Sequence, residues 1–458
     1  MIRGRLSDAA ADLGAPLDGP DTEFTGVSTD TRQVNPGQLF VALSGPNFDA
    51  HKFLDVAAAR GAAGAVVSAD ARSGLPHIRV PDTLTALGGL AASWRRRFEP
   101  VVVGVTGSSG KTTVKEMLAA ILSDRDETLV THGNLNNEIG VPLTLFRLGA
   151  SHRHAVIEMG ANHAGEIARL AAIARPNVGI VTMAGASHLE GFGSLDGVAH
   201  AKGEMFGALG REGTAIVNAD DAYAELWAEL AGTARVFRFG LGEDADFSAR
   251  RIEAAGPGYA FELVMPGGSV DVRLSLPGRH NIMNALAAAA GAFAAGAEPA
   301  NIQRGLAGAR PTAGRLCVAT GPRGATILDD TYNANPASVR AAIDYLTGLP
   351  GRHWAVLGDM GELGNTAPGL HRQIGDYARE KGVERLFVLG DLSRETAAAF
   401  GPEAVHFAGL ETLGSTLKEA LAGDVNLLVK GSRMMRLERL VQTLQETKRM
   451  ATTAEGAD

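Results

Sequence analysis

Ten consecutive residues, Gly104-Val105-Thr106-Gly107-Ser108-Ser109-Gly110-Lys111-Thr112-Thr113, bring together three glycines, five hydroxyls and one lysine. Glycines let backbone amides turn inward around a phosphate, and a following helix N-terminus adds positive potential there. In such a loop Lys111 reaches the terminal phosphates and the Thr112 hydroxyl ligates Mg²⁺. Gly107, Ser108, Ser109, Gly110 and Thr113 complete the cradle. The strict phosphate-loop pattern has glycine where Val105 stands, so this is a variant of it. An ordinary glycine-rich strand-to-helix turn is the alternative reading of the same residues.

Other polar clusters fall where strands are expected to end. Glu158 precedes Met159-Gly160-Ala161-Asn162, and a carboxylate facing a phosphate loop is placed to hold Mg²⁺. His188 lies past the next strand, as a ligand or as a plain loop histidine. Asn134 to Asn137, followed by Gly140 and Pro142, is either a turn or a set of side-chain amides for a peptide or sugar. Further on, Asp329-Asp330-Thr331-Tyr332-Asn333-Ala334-Asn335 and Gly358-Asp359-Met360-Gly361-Glu362 follow successive strands, the expected place for ribose or substrate contacts. Lys430-Gly431-Ser432-Arg433 is a cationic turn suited to a carboxylate. Lys202 reads as a solvated helix lysine, and spacing alone does not single it out.

The elements that must position these groups alternate strand and helix along most of the chain. That pattern gives an α/β fold with parallel sheets. A short apolar run at 101–105 feeds the glycine loop. Val114, Met117, Leu118, Ile121 and Leu122 recur behind it at helical spacing. Three domains are expected: a small α/β N-terminal domain over 1–99, a central P-loop-type parallel-sheet domain over 100–310, and a C-terminal Rossmann-like domain over 311–458. Strands are predicted at 38–42 and 64–67 with a helix at 84–98 in the first. The second has strands at 128–131, 155–159, 178–183 and 214–218. Alternating segments at 247–253, 259–264 and 269–276, with Gly-Pro-Gly and Pro-Gly-Gly turns, read as an antiparallel insertion before a helix at 281–295. The third has strands at 326–329, 354–357, 386–389 and 426–429. Arg95, Arg96 and Arg97 read as a solvated helix end, and the polar tail after Met450 as frayed.

Composition narrows the function. With 458 residues the chain can bury large cores, and its net charge of −8 disfavours general nucleic-acid binding. An anionic substrate must then be held by local amides, Arg, Lys or metal. The single cysteine, Cys317, excludes an internal disulfide or cysteine metal cluster and reads as a small buried hydrophobe. Residues 1–13 have no apolar signal core. The alanine-rich segment 285–297 is too short for a membrane span. A non-secreted cytoplasmic protein without membrane insertion is expected.

Taken in order from Val27 to Arg433, these motifs resemble the Mur ligase family, ATP-dependent amide-forming enzymes of peptidoglycan precursor synthesis. The carrying segments are Thr106 to Thr112, the Asn134–Asn137 run, 158–162, Leu189-Glu190-Gly191-Phe192-Gly193, Gly278-Arg279-His280-Asn281 with Asn284, and the loop 329–336. Within the family the last loop resembles the branch that joins D-alanyl-D-alanine to UDP-N-acetylmuramoyl-tripeptide. The Asp-Asn-Pro-Arg signature of the sister branch, which adds a diamino acid, is absent. A phosphate-loop ATPase acting as a switch is the reading from a different class.

The resemblance implies roles. Lys111 and Thr112 bind the triphosphate and a first Mg²⁺, and Glu158 and His188 serve the metal sites. Lys202 is carbamylated, its carbamate holding a second Mg²⁺. Asn281 faces the adenine, and Arg315 and Asp330 contact ATP from the third domain. Ser28, Thr29, Asp30 and Arg32, with Gly45, Asp49 and His51, form the UDP-sugar pocket. Asn134, Asn137, Tyr332, Asn333, Asn335 and Arg433 serve the substrates. The implied assembly is a monomer.

Overall fold

The computed structural model describes residues 1–68 and 74–445. The predicted tail after Met450 lies outside them. Three α/β units follow one another along the chain, each built on its own sheet.

The central sheet has six parallel strands in the order Thr128–Val130, His154–Glu158, Val101–Thr106, Val178–Val181, Thr214–Asn218, Arg235–Phe239. The first strand in sequence is therefore third in space, and the chain departs to opposite sides of it. Ligands collect at such a switch point, outside the carboxyl ends of the strands. Strand alternation feeds two cores. Val103 and Val105 face a cluster with Val114, Met117, Leu118 and the alanine-rich helix His280–Ala294. Val102 faces a second cluster with Met205, Phe206 and Trp227. The antiparallel insertion forms as three strands, Ser248–Ala255, Gly258–Met265 and Gly268–Leu274, capping the first of these cores.

The N-terminal unit carries a five-stranded sheet in the order Leu17–Asp18, His77–Val80, Gly64–Ser68, Leu39–Val41, Val27–Ser28, parallel except at the first pair. Its helix Thr83–Arg95 starts on Asp82, whose carboxylate accepts from Thr85 N at 2.6 Å. That helix docks the unit on the central one. Trp94 Nε1 donates to Leu148 O at 3.1 Å and Arg95 Nε to Ala174 O at 3.0 Å. Arg95 thus corrects the reading of a solvated basic run. It is buried, and burial lowers its pKa, whereas Arg96 and Arg97 are exposed.

The C-terminal sheet runs Cys317–Thr320, Thr326–Asp330, Val425–Lys430, Arg352–Gly358, Arg385–Leu389, Ala404–Phe407, five strands parallel and the first antiparallel. Cys317, expected buried, is half-buried on that antiparallel edge, its thiol donating to Thr312 O at 3.1 Å. The strands absent from the sequence reading are mostly sheet edges, such as Arg235–Phe239 and Ala404–Phe407. Pairing on one side leaves them partly exposed: Arg235 and Val405 face outward, and Arg238 and His406 interrupt the apolar runs that mark the buried central strands. Among the described residues no helix is long and apolar enough to cross a membrane.

Candidate active site

The glycine loop joins Val101–Thr106 to the helix Lys111–Leu122 and needs glycine at two places. Gly107 has φ +140° and a side chain there would overlap Thr182; Gly110 has φ +85° and faces Asn284 in the same way. The loop is braced from the next strand end. Ser108 N donates to Met183 O at 2.9 Å, and the Ser108 hydroxyl to Gly185 O at 3.1 Å. Lys111 Nζ donates back to Gly107 O at 2.6 Å. Burial lowers the Lys111 pKa, Glu158 opposes that shift, and Arg315 adds to it.

Glu158 ends the neighbouring strand and is 2 % exposed. Its backbone N–H donates to Thr131 Oγ1 at 3.0 Å, and its Oε1 accepts from Asn136 Nδ2 at 2.8 Å. Its buried Oε2 has no hydrogen-bond partner. Lys202, read from sequence as a solvated charge, is instead 1 % exposed. Its Nζ donates to Ala161 O at 3.2 Å and lies 4.9 Å from the Phe192 ring centroid. Burial, then repulsion from Lys111, brings its pKa down to about 7. His188 stands edge-on to the same Phe192 ring, the centroids 6.4 Å apart. Its Nδ1 lies 2.6 Å from Glu362 Oε2, and this holds the Glu362 carboxyl below its ordinary range.

The C-terminal unit closes over the glycine loop. Arg315 donates to Thr112 Oγ1 at 2.8 Å and stacks 4.2 Å from the Tyr332 ring centroid. Asn335 Nδ2 donates to Ser109 Oγ at 3.0 Å, while its Oδ1 caps the helix Pro336–Thr347. Asp330 and Lys430 are register partners at adjacent strand ends and pair at 2.6 Å. Lys430 also donates to Asn333 O at 2.8 Å, so of the cationic turn only Arg433 projects outward, beside Glu438 at 3.1 Å.

Between the two units lies a cavity of about 620 Å³. Ser108 to Thr113, Asn134, Asn137, Glu158, His188, Asn281, Arg315, Asp330, Tyr332, Asn333 and Asn335 all line it. Gly107, Lys202 and Arg433 lie outside its lining, as do Ser28, Thr29, Asp30, Arg32, Gly45, Asp49 and His51 in the N-terminal unit. Two lining amides also serve the backbone. Asn281 Nδ2 donates to Pro277 O at 2.7 Å, and Asn137 Oδ1 accepts from Gly140 N at 2.9 Å at the start of the next helix.

In the N-terminal cluster the polar groups satisfy one another. Asp30 accepts from Arg32 Nε and Nη2 at 3.0 and 2.7 Å, and Arg32 holds its pKa down to about 2. Asp49 faces His51 Nδ1 at 2.7 Å, and His51 Nε2 accepts from Ser68 N at 2.9 Å.

Sequence reasoning overlooked several groups. Asn136 and Thr131 hold Glu158. Lys115, 0 % exposed, donates to Thr131 O at 3.0 Å. Thr182 and Asp221 line or brace the cavity, Asp221 accepting from Ala184 N at 2.9 Å. Asn136 stood in a run already singled out; the others needed the strand order.

The residues fit Mg²⁺ in one specific way. Among the described residues no three His, Cys, Asp or Glu side chains group to hold a metal ion. A dedicated protein cage is therefore absent, while Glu158 keeps one buried oxygen unsatisfied beside the phosphate loop. Mg²⁺ suits this arrangement, because it takes few protein carboxylates and draws its other ligands from phosphate and water.

Comparison with known proteins agrees with this geometry. Residues 105–292 match the model of the Mur ligase middle domain and residues 314–433 that of the Mur ligase glutamate ligase domain. The chain is 46% identical over 449 residues to the UDP-N-acetylmuramoyl-tripeptide–D-alanyl-D-alanine ligase of Escherichia coli K12, covering 97% of this chain and 99% of that one. A crystal structure of MurF from Acinetobacter baumannii superimposes with a TM-score of 0.92 at 35% identity, over 97% and 99% of the two chains. MurF from Thermotoga maritima, solved in complex with ADP, gives 0.82 at 27% identity over 92% and 98%.

Proposed function

We propose that this chain, which belongs to the Mur ligase family, joins D-alanyl-D-alanine to UDP-N-acetylmuramoyl-tripeptide at the expense of ATP, releasing ADP and phosphate. The observation that carries the reading is the 46% identity to a ligase of that activity across 97% of the chain. The cleft geometry supports it: a glycine loop from one unit faces an arginine and a strand-end loop from another.

The chemistry follows from the reactants. A carboxylate is too poor an electrophile for direct attack by an amine. The tripeptide carboxylate oxygen attacks the γ-phosphorus and ADP leaves, giving an acyl phosphate. The dipeptide amine then attacks the acyl carbon, loses its proton, and phosphate departs from the tetrahedral intermediate. Lys111, now folded onto Gly107 O, swings to the γ-phosphate and offsets its charge. Arg315 does the same from the opposite wall. Gly107 to Thr113 present the amides of the cradle; Asn281 faces the base and Asp330 the nucleotide from the C-terminal unit. Bound Mg²⁺ supplies further charge neutralisation on the transferring phosphoryl group. Thr112, Glu158, His188 and Lys202 are the residues that would hold two such ions, Lys202 after carbamylation. A carbamate forms from a neutral amine and CO₂, and the burial of Lys202 favours the neutral form.

Tyr332, Asn333, Asn335 and Arg433 receive the dipeptide, with Arg433 rather than Lys430, which is paired with Asp330, meeting its terminal carboxylate. Asn134 and Asn137 contact the peptide. Ser28, Thr29, Asp30, Arg32, Gly45, Asp49 and His51 belong to the UDP-sugar site of the N-terminal unit. Functional boundaries fall at 1–99, 100–310 and 311–458, and closure of the units excludes water from the acyl phosphate. ATP use agrees with a cytoplasmic location. The test is ADP release in an assay with each substrate withheld in turn. Full turnover requires UDP-muramoyl-tripeptide, D-alanyl-D-alanine and Mg²⁺ together; turnover with ATP alone at the same rate overturns the reading.

A further inference from the structure

Glu362 lies in the loop between the C-terminal strand Arg352–Gly358 and the helix Ala367–Glu380, a segment expected from sequence to contact ribose or substrate, and none of the roles under the proposed function uses it. It meets His188 of the central unit across the cleft, Oε2 lying 2.6 Å from Nδ1 in an ion-pair contact that lacks hydrogen-bond geometry. Both residues have left-handed backbone, φ +62° at Glu362 and +52° at His188, and neither is glycine. Such conformations persist where the surroundings over-determine them. The surroundings here do so. Met360 and Leu363, on either side of Glu362, are each 2 % exposed and anchor the loop. Met360 N donates to Nε2 of the buried His371 at 3.0 Å, and His371 Nδ1 is fixed on Ala367 O at 2.8 Å. Asp359 O accepts from Ser432 N at 2.9 Å. On the central side, Glu190 N donates to Glu362 O at 3.4 Å, so backbone as well as side chain engages the loop.

The contact has a chemical consequence for the imidazole. A histidine that serves a metal is oriented by what its other ring nitrogen faces, most often a carboxylate. Nδ1 of His188 faces Glu362, which leaves Nε2 as the nitrogen for the cavity that His188 lines. The ring is fixed on its other side by the edge-on Phe192, which also carries Lys202. We propose that Glu362 is a positioning residue that orients His188 from the C-terminal unit, so that the metal site of the central unit is complete only when the two units are closed on each other. This rests on the reading of His188 as a group that serves Mg²⁺.

The test uses the full chain with Mn²⁺ as the probe ion, a non-hydrolysable ATP analogue and UDP-muramoyl-tripeptide. Mn²⁺ affinity is read by electron paramagnetic resonance in the wild type, Glu362→Ala, Glu362→Gln, His188→Ala and the double alanine variant. Glu362→Ala is expected to weaken Mn²⁺ binding about tenfold, in line with the loss of a partner behind a metal ligand. Glu362→Gln, which keeps an acceptor oxygen, recovers part of that loss. The double variant binds no more weakly than His188→Ala, because the two side chains act through one contact. Affinity for the UDP-substrate stays at the wild-type value throughout. Wild-type Mn²⁺ binding in Glu362→Ala, with a clear loss in His188→Ala, overturns the proposal and leaves the metal role of His188 intact. Fully additive losses in the double variant overturn it as well. Wild-type binding in His188→Ala removes the metal role of His188 and the proposal with it.

Discussion

The N-terminal cluster and the interdomain cleft both gather charged residues, yet they treat them in opposite ways. At Asp30, Arg32, Asp49 and His51 each charge has a partner within two residues, and His51 also accepts from Ser68 N. In the cleft, Glu158 Oε2, His188 Nδ1 and Arg315 Nε are buried without a hydrogen-bond partner, and Lys111 and Lys202 donate hydrogen bonds to backbone carbonyls only. A buried unsatisfied polar group costs roughly 1–3 kcal/mol. The cleft tolerates several, so it is organised for a charge that arrives with the ligand. The N-terminal cluster is organised to hold its own shape.

That contrast ranks the effects of substitution. The largest is expected at Lys111. Lys111→Ala removes a fixed cation from the γ-phosphate and lowers kcat by about 10²–10³-fold, the range for losing one transition-state donor. UDP-substrate binding, followed by calorimetry, stays unchanged because that site lies in another unit. Near-normal turnover would erase the distinction between the two regions.

Lys202→Ala is expected to lose activity by roughly 10–100-fold, as a metal group is removed. A short carboxylate in the buffer restores part of it by filling the vacated space. High activity without any additive would show that Lys202 holds no ion.

A stability measurement sharpens the same point. A lysine in the unfolded chain titrates near 10.5, whereas burial and Lys111 bring folded Lys202 to about 7. Between those values the unfolded state binds more protons, so this group's contribution to stability rises with pH across that window and is missing below it. In bicarbonate-free buffer near pH 6, Lys202→Met should therefore melt above the wild type, by roughly 2–4 °C. The gap should close towards pH 10. A lower melting temperature for the variant at pH 6 would contradict the burial argument.

The smallest effect is expected where charges already satisfy each other. Asp30→Asn, at an exposed pair with Arg32, should leave kcat unchanged and raise KM for the UDP-substrate only a few-fold, roughly as surface pairs allow. A collapse of kcat would place Asp30 in the chemistry itself.

The sequence made the middle of each sheet legible. Val101–Thr106, fully apolar up to Thr106 and followed by glycines, announced both strand and loop, and the turn signals at Gly256 and Gly267 announced the antiparallel insertion. Glu158 was found because it ends such a strand. Lys202 was legible only by resemblance: its burial comes from Phe192 and from the packing of Leu195–Gly207 on Glu166–Ala174, neither of which leaves a periodic trace. Glu362 was seen as a strand-end carboxylate, but its partner lies in another unit, and no local pattern encodes a contact across a closing cleft.

The identity of the bond formed decides the reaction. It is read by mass spectrometry of the products from ATP, Mg²⁺ and UDP-N-acetylmuramoyl-tripeptide offered D-alanyl-D-alanine, lysine and diaminopimelate in competition. A single new species is expected, the UDP-muramoyl-pentapeptide, formed one for one with ADP and phosphate. A product carrying lysine or diaminopimelate, with D-alanyl-D-alanine left unused, would contradict it.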